Sequence, residues 1–166
     1  MKNLIIYYSK SGNTEIVAKT LSSQLSGDLI KIRDYKERNN FKSKITSVID
    51  AFRESKTKIS PEKLDLSDYD LIYVGTPVWV ANPVPAIITA IDTYNFKGKK
   101  IILFATMRTV GGNKAIQRME EKFQARGGRV IKSFTIKTQQ KNTSQITGDT
   151  FSVINALNLE SNSDTL

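Results

Sequence analysis

The chain has 166 residues, no cysteine, no histidine, and 25 lysines and arginines against 16 acidic residues, for a net charge of +9. Disulfides, thiolate nucleophiles, cysteine-held metal clusters and the usual histidine general base are therefore excluded, so any redox or transfer chemistry must come from a bound cofactor. The length suits one domain with a substantial core, and no apolar run approaches the roughly 20 residues needed to span a bilayer. Met1-Lys2-Asn3 leads straight into a strand-sized apolar run, which predicts a cytoplasmic protein without a secretory leader.

In chain order, Lys2–Tyr8 reads as a first strand, and the turn Ser9-Lys10-Ser11-Gly12-Asn13-Thr14 feeds a helix over Thr14–Leu25 with Ile16, Val17, Leu21 and Leu25 on one side. Asp28–Arg33 predicts a second strand. The connection after it holds Ile45, Val48, Ile49 and Phe52 at helical spacing behind a cap at Ser43, until Ser60-Pro61 interrupts. Leu71–Gly75 is the third strand, and Pro85–Thr93 a helix whose approach Pro83 and Pro85 fix. Lys100–Ala105 is the fourth strand, with Ile101-Ile102-Leu103-Phe104 suited to burial on both faces. Asn113–Ala125 is a helix with an Ile116/Met119/Phe123 stripe, stopped by Gly127-Gly128. Arg129–Lys137 is a fifth strand and Asp149–Leu157 a closing helix. Alternating strands and helices predict an α/β fold: one domain over residues 1–157, with a parallel sheet covered on both faces and a polar, frayed tail over 158–166.

The turn after the first strand carries the chemistry. A helix N-terminus offers unpartnered N–H groups and a partial positive charge, and so attracts an anion. Gly12 lets the loop curl so that its amides converge, and Ser9, Ser11 and Thr14 add hydroxyl donors. The competing reading is that Ser11, Asn13 and Thr14 only cap the helix. Lys10 reads as a solvated side chain that raises the local potential. Ser9-x-Ser11-Gly12-x-Thr14 resembles the flavodoxin family's [S/T]-x-[S/T]-G-x-T loop for the phosphate of flavin mononucleotide (FMN). That resemblance implies a three-layer, doubly wound, five-stranded parallel sheet in the order 2-1-3-4-5, with the ligand at the switch between the first and third strands; flavodoxin is itself a type case of that rule.

Two further loops fall at the same sheet edge. Gly75-Thr76-Pro77-Val78-Trp79 resembles the family's G-[S/T]-P-x-W segment beside the isoalloxazine ring, which implies ring contacts from Thr76, Pro77, Val78 and Trp79; as an alternative, Trp79 is a packing residue. The prolines predict a stiff loop. After the fourth strand, Thr106, Met107, Arg108, Gly111 and Gly112 form the third candidate segment. Its glycines permit close backbone approach to a ligand, and Met107 either pads the ring edge or fills the core. No aromatic lies between Phe104 and Phe123, so one ring face is expected to be open. Arg108 is either a surface cation or one set near the ring's pyrimidine edge, where negative charge gathers on two-electron reduction.

The resemblance thus implies an FMN-binding redox protein, either an electron carrier or a small flavin-dependent reductase, working with a redox protein partner or a small-molecule electron acceptor. The alternative is a cofactor-free module of the same fold that serves in interaction or regulation. The loop fits neither a Walker-type nucleotide site nor a dinucleotide fingerprint. The net charge of +9 departs from the family, whose electron-carrying members are typically acidic; the basic run from Lys31 to Lys63 suits a solvated face or docking to an acidic redox partner. It lacks the interleaved aromatics of a nucleic-acid surface. Oligomeric state is left open.

Overall fold

The computed structural model describes residues 2–35 and 57–163. The amphipathic segment around Ile45–Phe52, its cap Ser43, and the basic residues Lys36, Arg38, Lys42, Lys44, Arg53 and Lys56 lie outside the described residues.

Strand β1 (Asn3–Tyr7) runs parallel to β2 (Asp28–Lys31) on one side, with Ile5 opposite Leu29. On its other side it meets the longer β5 (Leu71–Trp79), with Tyr7 opposite Gly75. Beyond β5 come β7 (Lys100–Met107) and β8 (Arg129–Lys137), all parallel, so the five strands follow 2-1-3-4-5 when counted along the chain, as expected. Parallel strands covered on both faces must be apolar in both directions. Leu4 and Ile6 point to one face, where Ala86, Ile87, Ala90 and Ile91 of α2 (Pro85–Thr93) join Ile116, Met119 and Phe123 of α3 (Gly112–Ala125). Ile5 and Tyr7 point to the other, against Val17, Ala18 and Leu21 of α1 (Asn13–Leu25) and Ile146 and Ile154 of α4 (Thr143–Ser163). No helix among the described residues is long and apolar enough to cross a membrane.

Several boundaries differ from the sequence reading. The second strand stops at Lys31; Ile32, fully buried, donates its N–H to the Tyr7 carbonyl (2.7 Å), and β3 (Arg33–Asp34) leaves to pair antiparallel with β4 (Ile59–Ser60). The third strand does not end at Gly75. It stays extended through Thr76 and Pro77, and its last residues fold back as a hairpin onto β6 (Asn82–Pro83), pairing Trp79 with Asn82. The fourth strand likewise reaches Met107. The closing helix begins six residues before Asp149, behind a reciprocal cap in which Asn142 N–H donates to Gln145 Oε1 and Gln145 N–H to Asn142 Oδ1, both at 2.9 Å. The helix then continues to Ser163, so most of the expected tail is helical.

Gly75 is needed where it stands: a Cβ built there would lie 2.0 Å from Cζ of Phe104, on the neighbouring strand. Phe104 in turn stacks on Phe134 of β8 with centroids 5.7 Å apart.

Candidate functional site

At the carboxyl edge of the sheet, the chain leaves β1 through Tyr8-Ser9 and turns into α1. Gly12 sits in the left-handed region at φ 98° as the residue before the helix, a conformation costly to side-chain-bearing residues. Its N–H donates to Ser9 Oγ (3.2 Å), so Ser9 curls the loop from within. No side chain caps α1. Ser11, Asn13 and Thr14 therefore do not cap the helix, and its first-turn amides have no side-chain partner among the described residues.

Thr14 is 1% exposed and its Oγ1 lies 2.7 Å from Oγ1 of Thr106, on β7. One hydroxyl of such a pair donates to the other, which leaves a single O–H for a ligand. Uncapped amides, an exposed Ser11 and this spare proton fit the phosphate of a nucleotide. Glu15, in the same helical turn, would repel that phosphate if left alone. Hydrogen bonds from Lys31 (2.7 Å) and Lys19 (2.9 Å) neutralise it and hold its carboxyl below the usual range.

Ser11, Asn13, Pro77, Val78, Trp79, Thr106 and Arg108 converge on one cavity of about 410 Å3, within the size range of small-molecule sites. Trp79 meets Tyr8 edge to face with centroids 6.0 Å apart, and Lys10 places its Nζ 5.5 Å from the indole centroid, a cation–π contact and not a freely solvated side chain. The hairpin turn behind Trp79 holds Val80 at φ 50° and Ala81 at φ 59°. Asn82 Nδ2 donates to the Val80 carbonyl (2.8 Å), and Arg118 Nη1 of α3 donates to Asn82 Oδ1 (3.0 Å). Arg108 is exposed and makes no ion pair among the described residues.

Other expected residues serve the walls from behind. Thr76 is fully buried; its hydroxyl donates to the Pro77 carbonyl (2.9 Å) and accepts from Val84 N–H (3.1 Å), tying the hairpin to α2. Met107 is buried with its Sδ accepting the Gly112 N–H (3.3 Å). The space left by the glycine pair is taken by protein. A Cβ on Gly111 (φ 93°) would lie 3.0 Å from Ala81 Cα, and one on Gly112 would lie 2.7 Å from Met107 Sδ. The sequence reading missed one wall: Thr138, Gln139 and Gln140, after β8, complete the cavity. Thr138 and Gln139 donate their N–H groups to the carbonyls of Met107 (2.8 Å) and Arg108 (3.2 Å). Their only signal was their place after a fifth strand at the same edge.

A family model described as flavodoxin matches residues 2–145. A flavodoxin from Nostoc sp. is 23% identical over 135 residues, covering 76% of this chain and 66% of that protein, so the chain spans just under two thirds of that relative. A solved flavoprotein in complex with FMN from Lactobacillus acidophilus NCFM superposes with a TM-score of 0.68 at 25% identity, over 81% of this chain and 92% of that one. The oxidised flavodoxin 1 of Bacillus cereus gives 0.59 at 20% identity, over 93% and 98%. Fold, loop and family match agree: the chain belongs to the flavodoxin family.

Proposed function

We propose that this chain is an FMN-binding electron carrier that works with redox partners in the cytoplasm. The observation that carries this reading is the uncapped N-terminus of α1, placed beside a cavity walled by Trp79. The first-turn amides, Ser11 and the Thr14–Thr106 pair would hold the phosphate, and Pro77, Val78 and Trp79 would give the ring a flat wall. The solved relative with FMN supports this choice of nucleotide. Bound FMN supplies one- and two-electron transfer, while the protein supplies position and electrostatics. Arg108, at the cavity, favours added negative charge there.

A second reading, a small flavin-dependent reductase, is favoured by one feature: neither residues 106–112 nor residues 138–140 bring an aromatic side chain over the cavity. That leaves room for a small acceptor.

The visible spectrum of the purified protein tests FMN binding, followed by titration of the apoprotein with FMN and riboflavin. FMN should bind more tightly and quench Trp79 emission. Absence of flavin binding would leave the cofactor-free module as the better description. Rapid NAD(P)H-driven reduction of a quinone without a protein partner would favour the reductase.

A further inference from the structure

The wall that carries Trp79 continues into a second surface. Lys114, Arg118 and Lys122 are spaced four residues apart on α3 and so lie along one side of it. An open groove of about 680 Å3 runs between that side and the Val80–Asn82 turn. Glu121 is the one carboxylate on its banks, and Gln117 hydrogen-bonds it (3.1 Å). Lys122 is tied to Asp92 (3.5 Å) and Arg118 to Asn82 (3.0 Å), whereas Lys114 makes no ion pair among the described residues.

Two apolar side chains stand out beside this groove. Val80 is 73% and Val110 is 79% exposed, more than any other large hydrophobic side chain described. The close approach of Ala81 to Gly111 joins their two loops, with each valine one residue before the contact. Two exposed valines beside a row of cations have the make-up of a protein docking surface. A nucleic-acid strand would need stacking platforms, and the one indole nearby is held by Tyr8 and Lys10. A small anion would need a closed site, and the groove is open.

We infer that Val80, Val110, Lys114 and Arg118 form a docking surface for the acidic face of a protein electron-transfer partner, seated beside Trp79 and the mouth of the cavity. The cations steer encounter and fix orientation, and the two valines supply the desolvated contact. That the partner is a redox protein rests on the proposed function; docking itself is measurable with or without flavin.

The probe is an acidic plant-type [2Fe–2S] ferredoxin, titrated calorimetrically into the apoprotein and the FMN-loaded protein at low and at near-physiological salt. The parent should bind, and binding should weaken as salt rises. Lys114→Glu/Val110→Ser should lose about tenfold or more in affinity at low salt. Lys97→Glu, at the opposite end of the sheet with the same change in charge, should lose less than about threefold. Thermal melts and the milder pair Lys114→Gln and Val110→Ala separate a lost contact from a damaged fold.

Equal losses at positions 97 and 114, or no salt-sensitive binding by the parent, would overturn the inference. So would equal affinity for a basic cytochrome c, or displacement of the ferredoxin by a short single-stranded oligonucleotide that depends on the same residues. Failure to take up FMN would refute the proposed function instead, and the apoprotein titration would still read docking.

Discussion

Deleting one hydroxyl of the Thr14–Thr106 pair should destabilise the protein more than deleting both. The two oxygens are 2.7 Å apart, on residues 1% and 3% exposed. In Thr14→Val the shape is kept, but the Thr106 hydroxyl is left buried without its partner. Stranding a buried hydroxyl costs about 1–3 kcal/mol, whereas replacing both partners with groups of the same shape is close to neutral. With about 2 kcal/mol for the single change and about 2–4 °C per kcal/mol at this chain length, Thr14→Val should melt about 4–8 °C lower. Thr14→Val/Thr106→Val should recover most of that loss. Ligand binding should follow a different rule. The double variant lacks the O–H that the pair offers a phosphate, and should give up a charge-assisted hydrogen bond of about 1.5–3 kcal/mol, roughly tenfold to a hundredfold in FMN affinity, with riboflavin unaffected. Urea unfolding of the parent, both single variants and the double variant, with FMN and riboflavin titrations of each, forms a complete cycle. A double variant as unstable as the sum of the singles would refute the isolated-pair argument. Equal loss of both flavins would refute the phosphate role.

The turn at Val80 gives a simple stability test: a β-branched residue at φ 50° is strained, and Val80→Asn should raise stability by about 0.5–1 kcal/mol in a urea titration, because asparagine tolerates that region. Arg108→Gln should lower the two-electron midpoint potential of the flavin-loaded protein. A loss of about 1.4 kcal/mol corresponds to about 30 mV, an upper figure for so exposed a cation, and the shift should shrink as salt rises in spectroelectrochemical titration. Glu15 is held below its ordinary value of 4.5 in the folded state, so its contribution is present above that pH and is lost as pH falls through the lower folded value. Melting temperatures of Glu15→Gln across pH 3–7 should therefore show the largest deficit near neutrality and convergence with the parent in acid.

Much of the scaffold was legible because its punctuation is local. Pro85 opens α2 and Gly127-Gly128 separates α3 from β8, and both α2 and β8 fall on the expected residues. The extension of β5 was not legible. Pro77 signals a turn, and the hairpin that keeps it extended relies on two positive-φ residues that are neither glycine nor asparagine. The start of α4 was hidden by Gly148 and a weak apolar period, although the Asn142-x-x-Gln145 box stood in the sequence. At the site, loop chemistry was legible as residue type. Which groups face the cavity depends on partners far along the chain: Thr14 and Thr106 are separated by 92 positions, and Ala81 and Met107 fill the space beside the glycine pair.

The contact between Gly75 and Phe104 makes the order of substitution at these two positions matter. A single methyl at position 75 would drive the ring aside and shift β7, which carries Thr106 and leads into Arg108 at the cavity. A lineage could exchange the phenylalanine for a smaller residue first and add the methyl afterwards. The reverse order would pass through a chain that misplaces its own binding residues before it loses its fold.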